Sequence, residues 1–281
     1  MASDQRGQPK TDLASGRIWV VFWMLAAAAG LLMATSWAVH RLAASWISSL
    51  FVLGCVRVGY WIVYEVLFGA MIVCIGLAIN RRADGVLISS RNRVSLSRLQ
   101  FVAWTVVILP ALPAAAGRNL AIDGEPLAIK VPAEIWLMLG VQTTSLIGSP
   151  ALLANKRVAL ITGVGAAARL AIPLDGAEGD SNIDAKPAVV RMDAASEAKW
   201  SNLFTGEETS NFRHVDMSRL QLFFFNLAAL PLYAAAVWLM LLEPKSALIE
   251  SFPAVSPALA ILMGASNAGY LLGKLVPKNK G

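Results

Sequence analysis

Ile18 to Val39, 22 residues, and Leu220 to Leu242, 23 residues, run without a charged residue for the length of a bilayer-spanning helix. About 20 such residues carry a helix across the hydrocarbon core. Only a helix or a closed barrel satisfies every backbone N–H and C=O where no water is present. Leu99 to Ala116, Ala133 to Leu153 and Ala254 to Leu272 are shorter or less pure versions of the same pattern. The apolar run from Leu50 to Ile79 is too long for one untilted span. Its inner part, Tyr60 to Ile79, is expected to cross, with Arg57 at or beyond the outer interface. Composition agrees: 57% of residues are hydrophobic and 15% charged, where a soluble domain carries about a quarter charged. The expected fold is an all-α membrane protein of about six transmembrane helices.

The first span exceeds the apolar core of a signal peptide and is flanked by Asp4 and Asp12, so a retained anchor is expected. Six spans place both termini on one side, and basic residues choose it. Segments 1–17, 81–98, 156–219 and 274–281 hold 19 of the 24 Lys and Arg. By the positive-inside rule these face the cytoplasm, and a multi-pass protein of the bacterial inner membrane is expected. The net charge of +6 is then mostly topology, with no nucleic-acid partner implied.

The spans repeat. Ser97-Arg98-Leu99-Gln100 and Ser218-Arg219-Leu220-Gln221 open two apolar stretches 121 residues apart, and Pro110 and Pro231 keep that offset. Gly140 and Gly264, 124 apart, mark the second helix of each pair. The chain therefore reads as a two-helix leader (1–80), a first helix pair (97–156), a cytoplasmic segment (157–215) and a second pair (216–281). Both pairs start inside and return inside, so the repeats are parallel in orientation, and such repeats often surround a shared site. Ser97 and Asp216 or Ser218 stand at expected N-caps. Stripes of small residues, Gly140-Thr144-Gly148, Ala260-Gly264-Ala268 and Ala26-Gly30-Ala34, suggest close helix packing.

Polar residues inside apolar spans are the candidate site. Gln142, Thr143, Ser266 and Asn267 fall together in the 124-residue register, with Gln142 on Ser266 and Thr143 on Asn267, and Thr105 falls on Asn226 in the 121-residue register. They form either interhelical hydrogen bonds or a polar pathway lined by both repeats. Glu65 is the one acid well inside an apolar run, costly enough to be a functional suspect, with Arg57 or Tyr64 as its structural partner. Arg98, Gln100, Arg219 and Gln221 are candidates for contact with an anionic lipid head group or a protein partner; ordinary snorkelling of the arginines is the alternative.

In the long segment, Arg157 to Thr162 reads as a strand, and Gly163-x-Gly165-x-x-Ala168 follows it. That spacing matches a dinucleotide fingerprint, but the room for a complete set of βαβ units is missing, so nucleotide binding is not expected. Asp175 to Asp184 reads as a turn region. Ala194 to Phe204 reads as a short helix, ended by Gly206-Glu207-Glu208. Cys55 and Cys74 share one apolar segment and cannot pair, and two histidines, His40 and His214, do not make a metal site. No hydrolytic triad or paired-carboxylate set is present, so neither enzyme activity nor a cofactor is expected.

Ser95-Leu-Ser-Arg-Leu-Gln-Phe-Val-Ala-Trp104, Trp200-Ser-Asn-Leu-Phe-Thr-Gly-Glu-Glu208 and Leu262-Met-Gly-Ala-Ser266 resemble a pattern in a group of uncharacterised bacterial inner-membrane proteins. The resemblance spans about residues 90–275 and implies an inner-membrane setting without an activity. Two functions are expected of such a chain. One is a homo-oligomeric channel or transport component with a polar site between the repeats. The other is a membrane anchor or scaffold that recruits a protein partner through residues 157–215.

Overall fold

The structure, a computed structural model, describes residues 11–46, 50–121, 124–154, 157–161, 188–208, 211–242 and 248–275. Six α-helices occur among them: α1 Thr11–Trp46, α2 Leu50–Asn80, α3 Leu96–Ala121, α4 Ala133–Ala154, α5 Met217–Leu242 and α6 Pro257–Leu275. Each holds most or all of one expected span. Cys55–Asn80, Leu96–Leu120 and Met217–Leu242 are long and apolar enough to cross a membrane. α2 continues unbroken through Arg57, which is buried. Pro110, Pro113 and Pro231 lie inside helices that continue past them.

The chain divides into two units. One contains α1 packed on α2, with the second half of α3 from Leu109. α2 ends where Arg81 turns to a φ of 57°, and the Asn80 Nδ2 donates to the Gly85 carbonyl at 2.6 Å. This lays Gly85 against the carbonyl of Gly76, a gap that a Cβ at Gly85 would close to 2.4 Å. Glycine is required at that approach.

The other unit contains the first half of α3, α4, α5 and α6, with a cap built from residues 87–95, 188–208 and 211–216. Two strands run parallel, β1 Arg157–Ile161 and β2 Ala188–Met192, in register from Arg157 opposite Ala188 to Ile161 opposite Met192. β1 is the expected strand; β2 carries no turn or periodicity signal strong enough to have marked it. The glycine fingerprint and the Asp175 to Asp184 region lie outside the described residues. Ala194 to Phe204 is not an α-helix but two 3-10 turns, Ala195–Glu197 and Trp200–Leu203. A segment this short gains little from helix propagation, so its tertiary contacts decide its form. Leu203 and Ala198 are buried with Leu87, Ile88, Leu96 and Leu222 in one apolar cluster, while Trp200 stays half exposed.

α4 and α6 pack side by side. The buried side of α4 is Ile135, Met138, Gln142, Ser145 and Ser149, and that of α6 is Ala260, Met263, Asn267, Tyr270 and Lys274. The two lists match at a single offset of 125, the separation of the bonded pair Ser149 and Lys274. On α3 and α5, Ser97, Gln100, Trp104 and Val107 match Arg219, Leu222, Asn226 and Ala229 at an offset of 122. The buried seams are thus each one residue out of step with the repeated letters, which stand 121 and 124 apart. One residue is about 100° of helix rotation, so identical letters face different surroundings. The small-residue stripes are displaced with them. Gly140 and Thr144 are exposed, and no atom lies within 4 Å of a Cβ placed at Gly140 or Gly264. Of the stripe glycines Gly148 alone approaches a neighbour, the Leu271 side chain at 3.8 Å, and Ala260 is the stripe residue that lies on the seam. At the other end of this unit the two helix-pair connectors meet. Lys130 N–H donates to the Glu250 carbonyl at 2.8 Å, and Phe252 N–H donates back to Lys130 at 2.9 Å.

Candidate functional site: a buried charge cluster around Glu207

The cap is tied to the helix ends through one carboxylate. Glu207 Oε1 pairs with the Arg219 guanidinium and, at 3.1 Å, with Lys274 Nζ; its Oε2 takes Arg91 Nη2 at 3.1 Å. Arg219 lies in the first turn of α5, Lys274 in the last turn of α6, and Arg91 in the loop before α3. Three chain segments, separated by as many as 183 positions, therefore converge on a side chain of a fourth.

Each segment is held locally. Asp216 caps α5, its Oδ1 accepting the Ser218 N–H at 3.1 Å, and its own N–H reaches the Phe204 carbonyl at 2.7 Å. That cap places a carboxylate beside Arg219 and offsets the unfavourable meeting of a cation with the positive end of the helix dipole. Lys274 sits at the favourable, negative end of α6. Its Nζ also donates to Ser149 Oγ of α4 and lies 4.4 Å from the Tyr270 ring centroid, while Arg219 stands 5.6 Å from the same ring. Gly206, just before Glu207, has the Asn211 side chain lying over it, and a Cβ there would meet Asn211 Oδ1 at 2.0 Å. That Oδ1 accepts the Glu208 N–H at 3.1 Å, which fixes the turn that aims Glu207 inward. Arg91 is held in a tight loop: Ser89 N–H donates to Arg93 O, and Asn92, at a φ of 57°, anchors its side chain on the Met192 and Asp193 carbonyls.

Burial alone would raise the Glu207 pKa. The charges of Arg219, Lys274, Arg91 and Arg93 outweigh it and hold the carboxyl well below the usual carboxylate range. Arg93, 5% exposed, moves down to about 10, first from burial and then from the like charges of Arg219 and Arg91, against which Glu207 acts. Arg93 Nη2 donates to Thr205 Oγ1 at 2.9 Å. A small cavity of about 20 Å³ borders the cluster on the side of Glu208, Asp216 and Ser218.

A second polar group lies inside the bundle. Asn226 Oδ1 accepts from Trp104 Nε1 at 3.0 Å and from Gln142 Nε2 at 3.3 Å, while its Nδ2 donates to Leu222 O. Ser97 and Ser145 share a hydrogen bond of 3.0 Å, and Asn267 Nδ2 donates to Met263 O at 2.9 Å. Gln142 Oε1, Asn267 Oδ1 and both amide atoms of Gln100 are buried without a hydrogen-bond partner.

Of the residues singled out from the sequence, Gln142 and Asn226 are therefore joined, and Asn267 lies on the same seam as Gln142 but on the facing helix. Thr143 is half-buried and bonds its own helix at Leu139 O. Ser266 is half-buried and lines, with Gln221, Phe225 and Tyr270, an open groove of about 250 Å³ between α5 and α6. Glu65 is half-buried in the other unit, with Oε1 unpartnered, and no ion pair joins it to Arg57 among the described residues. Arg98 is half-buried and donates to the Ile88 carbonyl at 2.8 Å. Arg219 does not snorkel: it is 2% exposed. Ser97 is not an N-cap but lies inside α3, bonded to Ser145, and Ser95 stands before the helix instead. From the sequence alone Glu207 reads only as a helix stop. Its signal is the charge imbalance around it, a lone Glu-Glu step facing cations from three segments, which linear spacing does not display.

Comparison with protein-family models, curated proteins and solved structures finds no match for this chain. The class that fold and composition define is a helical protein with helices fit to cross a membrane.

Proposed function

We propose that this protein is a non-enzymatic membrane anchor, whose bundle holds the cap as a fixed platform for a protein partner at the cytoplasmic face of a bacterial inner membrane. The observation that carries this reading is Glu207, which joins the cap to α5, α6 and the loop before α3 at once. A tether needs no such lock, whereas a platform that must present a defined surface does. Trp200, Val215 and Met217 stand exposed around that platform and are the apolar surface a partner would cover. The test is gentle extraction from the native membrane followed by native mass spectrometry. Stoichiometric recovery of a different protein with wild type, reduced with Glu207→Gln, supports the platform. A homo-oligomer alone, unchanged in Glu207→Gln, refutes it. Deleting residues 175–210 is not a clean alternative, because it strips the counter-charge from Arg219 and Lys274.

A second reading has its own observation. The unpartnered amide atoms of Gln100, Gln142 and Asn267 in the bundle interior suit a polar pathway in a homo-oligomeric channel or carrier. It expects solute flux in proteoliposomes that falls with Gln142→Leu or Asn267→Leu. Flux indifferent to both substitutions removes it.

A further inference from the structure

The charge around Glu207 does not balance. Arg91, Arg93, Arg219 and Lys274 surround it, and the two other acids nearby, Glu208 and Asp216, border the small cavity on the far side with Arg219 and Lys274. On the Arg93 side the interacting charges are Arg219, Arg91 and Glu207, with the Tyr270 hydroxyl beside them. Arg93 has Glu207 as its one neighbouring carboxylate and shares it with Arg91, Lys274 and Arg219, the last of which also has Asp216 beside it. Glu207 has already committed Oε1 to Arg219 and Lys274 and Oε2 to Arg91, so no close bond is left for Arg93. Arg93 turns to a neutral hydroxyl, Thr205, with one nitrogen, while its Nη1 has no partner. Arg91 Nη1 is likewise buried without a partner. A buried cation is tolerated when it is paired and its N–H groups are bonded. Two guanidinium nitrogens left over, on neighbouring arginines of one tight loop, mark a missing acceptor of negative charge.

We propose that Arg91 and Arg93 form a binding site for a phosphate oxoanion. The one unpartnered Nη1 of each arginine suits the tetrahedral oxygens of a phosphate group, which take several N–H donors at once. Arg91 keeps a side chain 17% exposed and is the more open of the two arginines. The loop geometry pre-forms the site. Ser89, Asn92 and the Met192 and Asp193 carbonyls fix the backbone on both sides of Arg91 before any ligand arrives. The phosphate belongs either to a lipid headgroup or to a soluble ion, and in both cases it supplies the second counter-charge that Glu207 cannot. The site does not rest on the platform reading, since the lock at Glu207 stands without it.

The test uses the full-length protein in nanodiscs of phosphatidylcholine, followed by thermal unfolding. One arm adds inorganic phosphate against chloride at constant ionic strength; the other replaces part of the phosphatidylcholine with phosphatidic acid. The expected result is a rise of several degrees in the midpoint of wild type and of Lys199→Gln, an exposed cation outside the cluster. Arg93→Gln abolishes the rise. A rise with inorganic phosphate assigns the site to a soluble ion, and a rise with phosphatidic acid alone assigns it to the lipid. If Arg93→Gln does not fold, Arg91→Gln and native mass spectrometry of wild type take its place, with a retained phosphate or phosphatidic acid adduct expected in wild type and lost in Arg91→Gln. No rise in either arm, or an equal rise in the arginine variant, overturns the proposal.

Discussion

The two copies of Ser-Arg-Leu-Gln begin alike and end in different surroundings. In the first, Gln100 is buried and Arg98 is half-buried on a loop carbonyl; in the second, Arg219 is buried on Glu207 and Gln221 is exposed along a groove. A rotation of one residue between the buried seams exchanges the roles of the arginine and the glutamine. The first copy thus contributes a polar side chain to the bundle interior, and the second contributes a cation to the cap lock. A repeat in sequence supplies two similar helices, but only the second pair supplies cations to Glu207, and the two pairs bury different faces.

The sharpest way to break this comparison is to remove both arginines in turn. Arg219→Gln leaves Glu207 with a buried, partly uncompensated charge network, and a loss of about 3–5 kcal/mol in unfolding free energy is expected. Arg98→Gln forfeits the half-buried hydrogen bond to the Ile88 carbonyl, about 1 kcal/mol. Denaturant titration of both variants in the same detergent tests the difference, and equal losses would mean that the two copies are equivalent after all.

A second contrast lies between Asn226 and Thr105, which the 121-residue register sets opposite each other. Asn226→Leu strands Trp104 Nε1 and Gln142 Nε2, and a cost of about 1–3 kcal/mol is expected. Thr105→Val should stay within about 0.5 kcal/mol, because Thr105 is half-buried and outside that network. Thermal midpoints measured side by side decide it.

Much of the fold was legible. Uncharged runs located the helices because a spanning helix must be apolar along its whole length, and Gln142, Asn226 and Asn267 stood out because polar groups are rare there. The faces were not legible. Gly140 and Gly264 aligned the second helices by their letters, yet both lie off the seam, since a glycine inside a helix reveals nothing of direction until a neighbour is known. Glu207 was hidden for a different reason: its partners come from three distant segments, and a pairing across such separations leaves no local period. Arg93 was hidden in the same way, inside a loop whose charge the positive-inside rule already explained.

A smaller effect sharpens the contrast between the glutamines. Gln100→Leu removes a buried amide with no partner and should raise stability, by about 1 kcal/mol, whereas Gln221→Leu on the open groove should be close to neutral. Chemical denaturation that finds Gln100→Leu destabilising would show that the amide has an occupant to bind. The pH dependence is smaller still near neutrality. Because the folded pKa of Glu207 is depressed, its contribution is fully present above the unfolded value, about 4.3, and is lost as pH falls through the folded value. Fluorescence of Trp200 between neutral and acid pH should stay constant until pH drops below that range. A change centred nearer neutrality would assign the lock to another group.

The central claim is that Glu207 fixes the cap to the helix ends. Hydrogen–deuterium exchange of residues 188–208, in wild type and in Glu207→Gln, tests it most directly. Slow exchange at Val190, Met192 and Phe204 in wild type, accelerated together by the substitution while α4 and α6 keep their protection, is the expected result. Exchange in the cap that is unchanged by Glu207→Gln would contradict the claim and leave the cap held by its apolar cluster alone.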